Sequence, residues 1–536
     1  MSLFSSARRR RWWTVDIGWD AAAVPLVSRG LIALAVLLLL SACGAPQAQR
    51  AEADADRPPL RVALDGDLIT LDPHLHSETI AHTVLGNIYD ALVDFDDAIR
   101  VVPVLAERWD NPDDLTWRFH LRPDVTFHDG RRLSARDVVY SLQRASAHPR
   151  SKVAPALVQI ERVRALDARV VEVRTRTPYP ILLNKLVLVR ILPHPDADAD
   201  VDVDPAADVV FDAPIGTGPY RFDRLEPGRW IDLVRSDDPW RAPAHEPRVR
   251  FLFLADPAAR IAALERGEAD LIANLPSDQV ETVNRDPALA VAARSSLFVT
   301  YLDLNPAHPP LDDVRVRRAI SLAIDRAALV REQLHGQGQP LGQMVSPDVF
   351  GHVAEIASPA RDAAAARSLL AEAGHPDGLD LEIETRLGRP VAPLPAQLAE
   401  AGIRVQVERR PWSEMYQRIT QRRVTAYLGG FGCTSGDASD LFDHKVHTPD
   451  PARGYGVANI SGHGVPALDA LIEAANGRLD MVARRAVLRR ATERLHEEAH
   501  LVPLFMPYDL YGLRADLIWT PRPDGRIVLA EARRAP

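Results

Sequence analysis

Residues 106–141 read AERWDNPDDLTWRFHLRPDVTFHDGRRLSARDVVYS, and this stretch is the most informative about the fold. From residue 115 to residue 121, Leu, Trp, Phe and Leu alternate with polar residues, which predicts a strand with one buried face. Residues 127–130 (FHDG) have the composition of a turn. Residues 134–143 begin with a Ser and carry an Asp three positions later, which predicts a capped helix. The stretch therefore predicts a strand, a turn and a helix in that order.

Further along the chain, two regions show the order strand, helix, strand. The first consists of residues 248–253, 256–267 and 269–272, and the second of residues 379–384, 395–401 and 404–408. This order is typical of a βαβ unit, so we expect an α/β fold. Because one hydrophobic core stops growing at about 250–300 residues, the 536 residues predict at least two core-forming units.

The composition is that of a globular protein, with 46% hydrophobic and 26% charged residues. A net charge of −9 provides no strong basic field, which argues against a nucleic acid as partner. The two cysteines, Cys43 and Cys433, exclude a disulfide framework and a four-cysteine zinc site. No Walker loop, dinucleotide-binding fingerprint or HExxH motif is present in the sequence, so we expect neither a cofactor nor a metal.

The N-terminal region predicts that the protein is exported from the cytoplasm. Residues 31–40 (LIALAVLLLL) are too few to cross a bilayer and follow Arg29, as in the apolar part of a signal peptide. Residues 40–44 (LSACG) resemble a bacterial lipobox. We therefore expect a lipoprotein signal peptide over residues 1–42 and lipidation of Cys43. A translation start near Val27 is the alternative, and it would shorten the signal peptide to residues 27–42. Residues 43–57 are expected to be a linker, and the lipid to hold the chain on the periplasmic or cell-surface face of a membrane.

Several stretches of the sequence resemble those of a known protein family. Residues 106–141, together with residues 71–74 (LDPH), 215–222 (IGTGPYRF), 301–305 and 312–326 (DDVRVRRAISLAIDR), resemble the extracellular solute-binding proteins of ABC importers, family 5, the peptide- and nickel-binding family. The resemblance implies the type II fold of periplasmic binding proteins. In this fold two lobes are joined by a two-strand hinge, and an extra α+β domain is inserted in lobe one.

The resemblance also implies a division of the chain. Lobe one is expected to consist of residues 58–96, 210–300 and 505–536, with the inserted domain at 97–209, and lobe two of residues 301–504. The hinge strands are expected near residues 299–302 and 504–508.

The activity that the resemblance implies is capture and not catalysis. A monomer would bind a peptide or peptide-like solute between its lobes, close about the hinge, and deliver the solute to an ABC permease and its ATPase.

A Gly-rich segment supplies most of the expected ligand contacts. Residues 429–442 (GGFGCTSGDASDLF) follow a predicted strand, and small residues allow a ligand to approach the backbone closely. The candidates here are Phe431, Cys433, Thr434, Ser435 and Asp437. Where many peptide binders of the family carry an Asp for the α-amino group of the ligand, this sequence has Thr434, and Asp437 or Asp440 is the candidate replacement.

Four more candidates come from other parts of lobe two. Arg386 follows a predicted strand and is suited to a ligand carboxylate. Tyr301, Asn305 and Trp412 are the other candidates for the cleft.

Two alternative functions remain open at this stage. His74, His76 and His82 motivate a nickel-chelate binder of the same family, although we expect these histidines to lie in exposed loops. Cys433 or Ser435 with His444 is the constellation that a secreted hydrolase would need.

Overall fold

The computed structural model describes residues 57–195, 204, 206–207, 213–237, 240–386 and 392–535. The predicted signal peptide, Cys43 and nearly all of the predicted linker lie outside the described residues. The fold described below is that of the compact unit Pro59–Pro536.

The strands alternate with helices along most of the chain. In chain order the strands are β1 (Leu60–Leu64), β2 (Val93–Phe95), β3 (Val101–Pro103), β4 (Ala106–Asp113), β5 (Thr116–Leu121), β6 (Ile160–Ala165), β7 (Val170–Thr175), β8 (Tyr220–Glu226), β9 (Trp230–Arg235), β10 (Arg248–Phe253), β11 (Leu271–Ile272), β12 (Leu289–Ser295), β13 (Phe298–Leu304), β14 (Gly338–Pro340), β15 (Leu379–Arg386), β16 (Ile403–Arg410), β17 (Ala426–Gly432), β18 (Leu501–Arg514), β19 (Leu517–Ile518) and β20 (Arg533–Arg534).

The helices are α1 (Thr79–Leu85), α2 (Ala135–Ala147), α3 (Leu182–Leu186), α4 (Pro257–Glu265), α5 (Val280–Asn284), α6 (Val314–Ala323), α7 (Arg326–Gln333), α8 (Ala363–Glu372), α9 (Leu394–Glu400), α10 (Trp412–Thr420), α11 (Ser439–Leu441), α12 (Pro466–Asn476) and α13 (Met481–Glu498). Within the described part of the chain, none of these helices combines the length and the apolar character needed to span a membrane.

The longest strand, β18, takes part in two sets of pairings. Its first residues pair with β13 and β14, and the residues from Tyr508 onward pair with β11 and β12. The described strands on this path run in the order β16-β15-β17-β13-β18-β11-β1-β10-β9-β8. The chain therefore passes between two halves of the sheet twice, between Ser295 and Phe298 and again at Pro507–Tyr508. The second passage falls in the predicted 504–508 stretch, whereas the first comes before residues 299–302, which already belong to β13.

Each half of the sheet contains one of the predicted βαβ units. In one half, β10 and β11 both lie parallel to β1, with α4 between them in sequence. In the other half, β15 lies parallel to β16 and β17, and α9 connects β15 to β16. Each half also has its own buried core, one around Val62 and Phe251 and the other around Leu302 and Ile383. The α/β class and the expectation of more than one core are confirmed.

Residues 106–141 supply β4, β5 and α2. The strands β4 and β5 join β6 and β7 in a separate antiparallel sheet of order β4-β5-β7-β6. Trp117, Phe119 and Leu121 of β5 are buried, as their alternation predicts. Helix α2 carries the predicted cap, in which the Ser134 backbone N–H donates to Asp137 Oδ2 at 2.8 Å. This sheet and its helix lie between β3 and β8 in the chain and have α+β order.

The apolar residues of segment 80–92 (IAHTVLGNIYDAL) lie at helical spacing and predict a helix, but the helix of the structure, α1, ends at Leu85. The backbone carbonyls of Asn87 and Ile88 instead accept hydrogen bonds from Tyr220 and Gly218. A Cβ at Gly216 would lie 2.0 Å from the Ile88 carbonyl oxygen, so the IGTGPY turn requires glycine for this close approach. A tertiary contact therefore ends the helix.

The amphipathic pattern of residues 313–326 predicts one long helix, but the structure divides this segment between α6 and α7. Ile324 leaves the helical conformation, with φ −95° and ψ 120°. The side chain of Gln397 accepts the Asp325 backbone N–H at 2.9 Å, and Asp325 caps α7 by accepting from Ala328. A side chain from α9 therefore stabilises a break that the amphipathic pattern does not reveal.

We expect His500 to make the fold sensitive to acid. Burial and the nearby His463 lower the pKa of His500 to about 3. Below the unfolded pKa near 6.5, the unfolded chain gains a proton here that the folded chain does not, so stability is lost as the pH falls. Between pH 7 and pH 5 this one residue lowers the free energy of unfolding by about 2 kcal/mol. Urea unfolding at the two pH values should therefore show a weaker pH dependence in His500→Leu.

The matched control is His245→Gln, because His245 is exposed and should leave the pH dependence unchanged. An unchanged pH dependence in His500→Leu would contradict the assignment.

Candidate functional site

A cavity of about 480 Å³ lies where the chain passes between the two halves of the sheet. Its wall includes residues 296–298 at the first passage and Asp509 and Tyr511 of β18 just after the second. Further wall residues come from the end of β1, from α1, from residues 152–156 and 185–188, from Gly432 and Thr434, and from the turn at 523–527. We refer to it as the central cavity. Elements of both halves and of the segment between β3 and β8 therefore line the same cavity.

Much of the wall of the central cavity is apolar. Leu64, Ile80, Phe95, Leu297 and Phe298 are among its lining residues. Such a surface favours the aliphatic or aromatic part of a solute, while a few polar groups fix its orientation.

Arg526 is a charged group of the wall that already has partners. It donates to Asp524 at 2.9 Å and also bonds Asp94, and Arg522 donates to Asp524 at 2.8 Å. Burial alone would raise the pKa of Asp524, but Arg526 and Arg522 outweigh it and hold that pKa far below its usual range. The four side chains form a network in which two cations balance two carboxylates.

Lys185 is a second paired cation of the wall. Its ammonium group bonds Asp440, which also accepts the Ser435 backbone N–H at 2.8 Å. Burial opposes the charge on Lys185, but Asp440 outweighs it and raises the pKa of the lysine. Asn184 donates to the Ser435 carbonyl at 2.8 Å, so α3 is joined to the 429–442 segment by two polar contacts.

Asp509 contrasts with these groups, because no described residue forms a hydrogen bond or an ion pair with its carboxylate. Burial, followed by the nearby carboxylate of Asp524, raises the pKa of Asp509 to about 6. Asp65 also lines the cavity without a hydrogen-bonded partner in the described chain, but Arg260 is close enough to interact with it electrostatically.

The predicted residues of the 429–442 segment do not share one environment. Thr434 is exposed and lines the central cavity, and so does Gly432. Phe431 is half-buried and packs against the hydrophobic core. Cys433 is buried and its thiol donates to the Asp437 carbonyl at 2.9 Å, while burial raises its pKa well above the ordinary value. Ser435 is buried beside Asp440.

Asp437 belongs to a buried ion pair outside the cavity wall. Both of its carboxylate oxygens accept from Arg484 of α13, at 2.6 and 2.7 Å. The two side chains are almost completely inaccessible to solvent, at 2% and 0% exposure. Since Asp437 and Asp440 are both held by internal cations, neither is free to replace the family's Asp at position 434.

The remaining predicted residues lie away from the cavity wall. Tyr301 is buried with its ring 5.2 Å from the ammonium group of Lys445, which bonds Asp303 at 2.6 Å. Asn305 donates to the Val424 carbonyl at 3.0 Å. Arg386 and Trp412 contact each other, with the guanidinium carbon 5.4 Å from the ring centre. The structure thus brings Arg386 and Trp412 together, but at a place separate from the central cavity.

The histidines differ from their expected exposed positions. His74 and His76 are buried, at 0% and 2% exposure. His74 bonds the Arg190 carbonyl at 2.8 Å and contacts the Arg144 guanidinium, and burial lowers its pKa to about 4. His82 lines the cavity beside His76, with ring centres 4.7 Å apart. In the described residues, no three His, Cys, Asp or Glu side chains are grouped as a metal site.

Sequence reasoning missed the contribution of the C-terminal strand to the cavity. Asp509 interrupts an otherwise apolar and aromatic strand between residues 501 and 513, and this was the available signal. The turn at residues 523–527 carries no comparable pattern, since its role depends on where the tertiary fold places it.

Comparison with known proteins gives consistent similarities. The model of the bacterial extracellular solute-binding proteins, family 5 Middle, matches residues 100–452. The chain is 27% identical over 393 residues to the glutathione-binding protein GsiB of Pectobacterium atrosepticum, which covers 70% of this chain and 75% of that protein.

Two solved structures extend the comparison to the fold. The periplasmic binding protein DppA of Helicobacter pylori, in complex with the peptide STSA, has a TM-score of 0.70 at 24% identity, covering 89% of this chain and 98% of that chain. The nickel ABC transporter structure from Bacillus halodurans has a TM-score of 0.75 at 24% identity, covering 89% and 100%. These similarities confirm the expected type II periplasmic-binding-protein fold, with two lobes, a two-strand hinge and an inserted domain.

We predict that the Arg484–Asp437 pair stabilises the fold and does not select the ligand. Removing the cation in Arg484→Met leaves the buried Asp437 carboxylate without its counter-charge, which should cost about 3–5 kcal/mol of unfolding free energy. Arg489→Met on the same helix is the matched control, because the ion pairs that Arg489 forms with Glu493 and Glu355 are exposed. The control should cost less than about 1 kcal/mol by denaturant titration. Equal losses in the two variants would contradict the prediction.

Proposed function

Because this chain belongs to the bacterial extracellular solute-binding proteins of family 5, we propose that it captures a peptide or a peptide-like solute in the central cavity. It then delivers the solute to an ABC permease and its ATPase. In this proposal the protein acts as a monomer outside the cytoplasm and binds its ligand without transforming it.

The observation that carries this proposal is the position of the cavity at the two chain passages. Residues 296–298, Asp509 and Tyr511 lie next to the points at which strand pairing changes from one half to the other. A ligand favours closure only when it makes more contacts in the closed state than in the open one. A solute in this cavity touches elements of both halves, so its binding energy acts on the relative position of the lobes.

The size of the cavity supports a small solute. A volume of about 480 Å³ lies within the range of about 300–1,000 Å³ that is usual for small-molecule sites. The relatives named above include a glutathione-binding protein and a binding protein in complex with a four-residue peptide. A short peptide or a compound of similar dimensions is the ligand class that we propose.

The proposal includes a division of the chain. Lobe one comprises residues 58–96, 210–300 and 505–536, and lobe two residues 301–504. The segment 97–209 is the inserted domain, which is supported by the separate antiparallel sheet found there. The change of strand pairing between Ser295 and Phe298 supports a boundary close to residue 300.

The site residues that we propose for ligand contact are revised accordingly. Thr434 and Gly432 remain candidates from the Gly-rich segment, and Asp509, Tyr511 and Phe298 join them. Tyr301, Asn305, Asp437, Cys433 and Ser435 support the surrounding structure, as their internal contacts indicate.

The hydrolase alternative has weak physical support. A cysteine nucleophile reacts as the thiolate, and the buried Cys433 thiol has a raised pKa and donates to the Asp437 carbonyl. Ser435 is buried and His444 lines the cavity. These environments favour binding over nucleophilic catalysis.

The proposal predicts a solute bound in the central cavity. Native mass spectrometry of the full chain, purified gently in detergent, should reveal a bound species with the mass of a short peptide. Gly432→Trp should lose this species, because a Cβ at Gly432 lies 3.6 Å from Phe298 and 3.9 Å from Thr434, two residues of the wall. The larger side chain would then fill space that the ligand needs.

Gly477→Trp is the matched control, since Gly477 is exposed at the end of α12 and is not part of the wall. A bound nickel chelate would favour the alternative within the family. Retention of the same species by Gly432→Trp would rule out the central cavity as its site.

We also propose that Cys43 carries the lipid anchor. In a bacterial host, Cys43→Ser should move the chain from the membrane fraction to the soluble fraction, because the acyl chains that retain it are lost. Intact-mass analysis should show the loss of the lipid. Cys433→Ser is the control, since that thiol is buried in the fold and its replacement should leave the membrane association unchanged. Membrane association that persists in Cys43→Ser would contradict the anchor.

A further inference from the structure

Buried cations of the described cavity wall are matched by carboxylates, whereas no described residue forms an ion pair with Asp509. Arg526 is matched by Asp94 and Asp524, and Lys185 is matched by Asp440. The two histidines of the wall, His82 and His444, have pKa values that burial lowers, so they add no positive charge at neutral pH.

The basic residue directly opposite Asp509 does not neutralise it. Arg294 of β12 is the cross-strand neighbour of Asp509 in the β12–β18 register. However, its guanidinium donates to the Asp97 carbonyl at 2.8 Å, and no ion pair connects it with Asp509. Lys152 also lines the cavity, but its side chain is exposed.

Among the described residues, no backbone N–H donates a hydrogen bond to the carboxylate of Asp509. It lies beside the turn at residues 523–527, where a Cβ at Gly525 would come within 3.6 Å of Asp509 Oδ2. The residue is part-buried in β18, so its carboxylate has lost much of its hydration without gaining a counter-charge. Such a group costs free energy unless a cation meets it.

We propose that Asp509 binds a positively charged group of the transported solute, so that the ligands of this protein are those with a protonated amine or a guanidinium. This inference rests on the proposed function and specifies the class of its ligand. The carboxylate supplies the counter-charge, and the apolar wall accommodates the uncharged part of the same solute. The raised pKa of Asp509, about 6, supports this, because it shows that the ionised carboxylate is disfavoured without a nearby cation. A cationic group of the ligand would stabilise the ionised form.

The carboxylates of the Gly-rich segment cannot take this role. Asp437 is held by Arg484 and Asp440 by Lys185. Asp65, the other acidic residue of the wall without a hydrogen bond in the described structure, lies in the field of Arg260. A cationic group of the ligand would therefore gain more electrostatic stabilisation at Asp509 than at Asp437, Asp440 or Asp65.

The test compares two matched mixtures of peptides. One contains di- and tripeptides of Ala, Leu and Ser with free amino termini, and the other contains the same peptides with acetylated amino termini. Native mass spectrometry and calorimetry with the full chain should show binding from the free-amine mixture. Asp509→Asn should weaken that binding about tenfold or more, since a desolvated charge pair is lost.

The variant is expected to fold, because it removes a carboxylate that forms no ion pair with any described residue, and thermal melting checks this. Asp114→Asn is the matched control, since Asp114 is exposed and outside the cavity wall. It should bind the free-amine peptides as the wild type does.

Four results would count against the proposal, and they separate the role of Asp509 from the proposed function. Equal binding of free and acetylated peptides, or unchanged binding by Asp509→Asn, would overturn the role of Asp509 and leave solute capture intact. Binding of the acetylated peptides alone would overturn it as well. No binding of any peptide, together with no co-purified solute, would contradict the proposed function and the inference with it.

Discussion

The backbone hydrogen bonding of β18 is the constraint on which the rest of the structure depends. This 14-residue strand completes the sheet of one half with its first residues and the sheet of the other half with its last ones. Because side chains alternate along a strand, Asp509 and Tyr511 share one face, and both line the central cavity. Leu510 between them is buried in a hydrophobic cluster. The same strand therefore joins the two halves and places a charged and an aromatic side chain where they meet.

The buried charges of this protein are of two kinds. In pairs such as Arg484–Asp437 and Lys445–Asp303, each charge forms an ion pair with an opposite charge inside the fold. These pairs hold the segments that carry them in place, because separating the two charges would leave each of them buried without a partner and would strongly destabilise the fold. Asp509 differs, since none of the described cations forms an ion pair with its carboxylate. A binding site is the place where such an unmatched charge has a use.

Local sequence patterns were sufficient to predict several strands and helices, but they were insufficient to predict the residues at which two of the helices end. The alternation in β5, the cap of α2 and both βαβ units follow from side-chain spacing and capping chemistry. The early end of α1 and the break at Ile324 depend instead on Gly218 and Gln397, which are distant in sequence. Hydrogen bonds from distant segments compete with the helix at these positions, and no local pattern records them.

By itself, the sequence determined the α/β class, the family resemblance and the Gly-rich segment that contributes Gly432 and Thr434 to the cavity. These follow from periodicity and motif, which are properties of neighbouring residues. Only the tertiary structure decided that Cys433, Ser435 and Asp437, although adjacent to Thr434, face inward to internal partners. It also decided that Asp509 reaches the cavity, because the wall is assembled from segments hundreds of residues apart. Whether a polar residue meets a ligand or an internal partner depends on which distant group packs against it, and that is settled only when the chain folds.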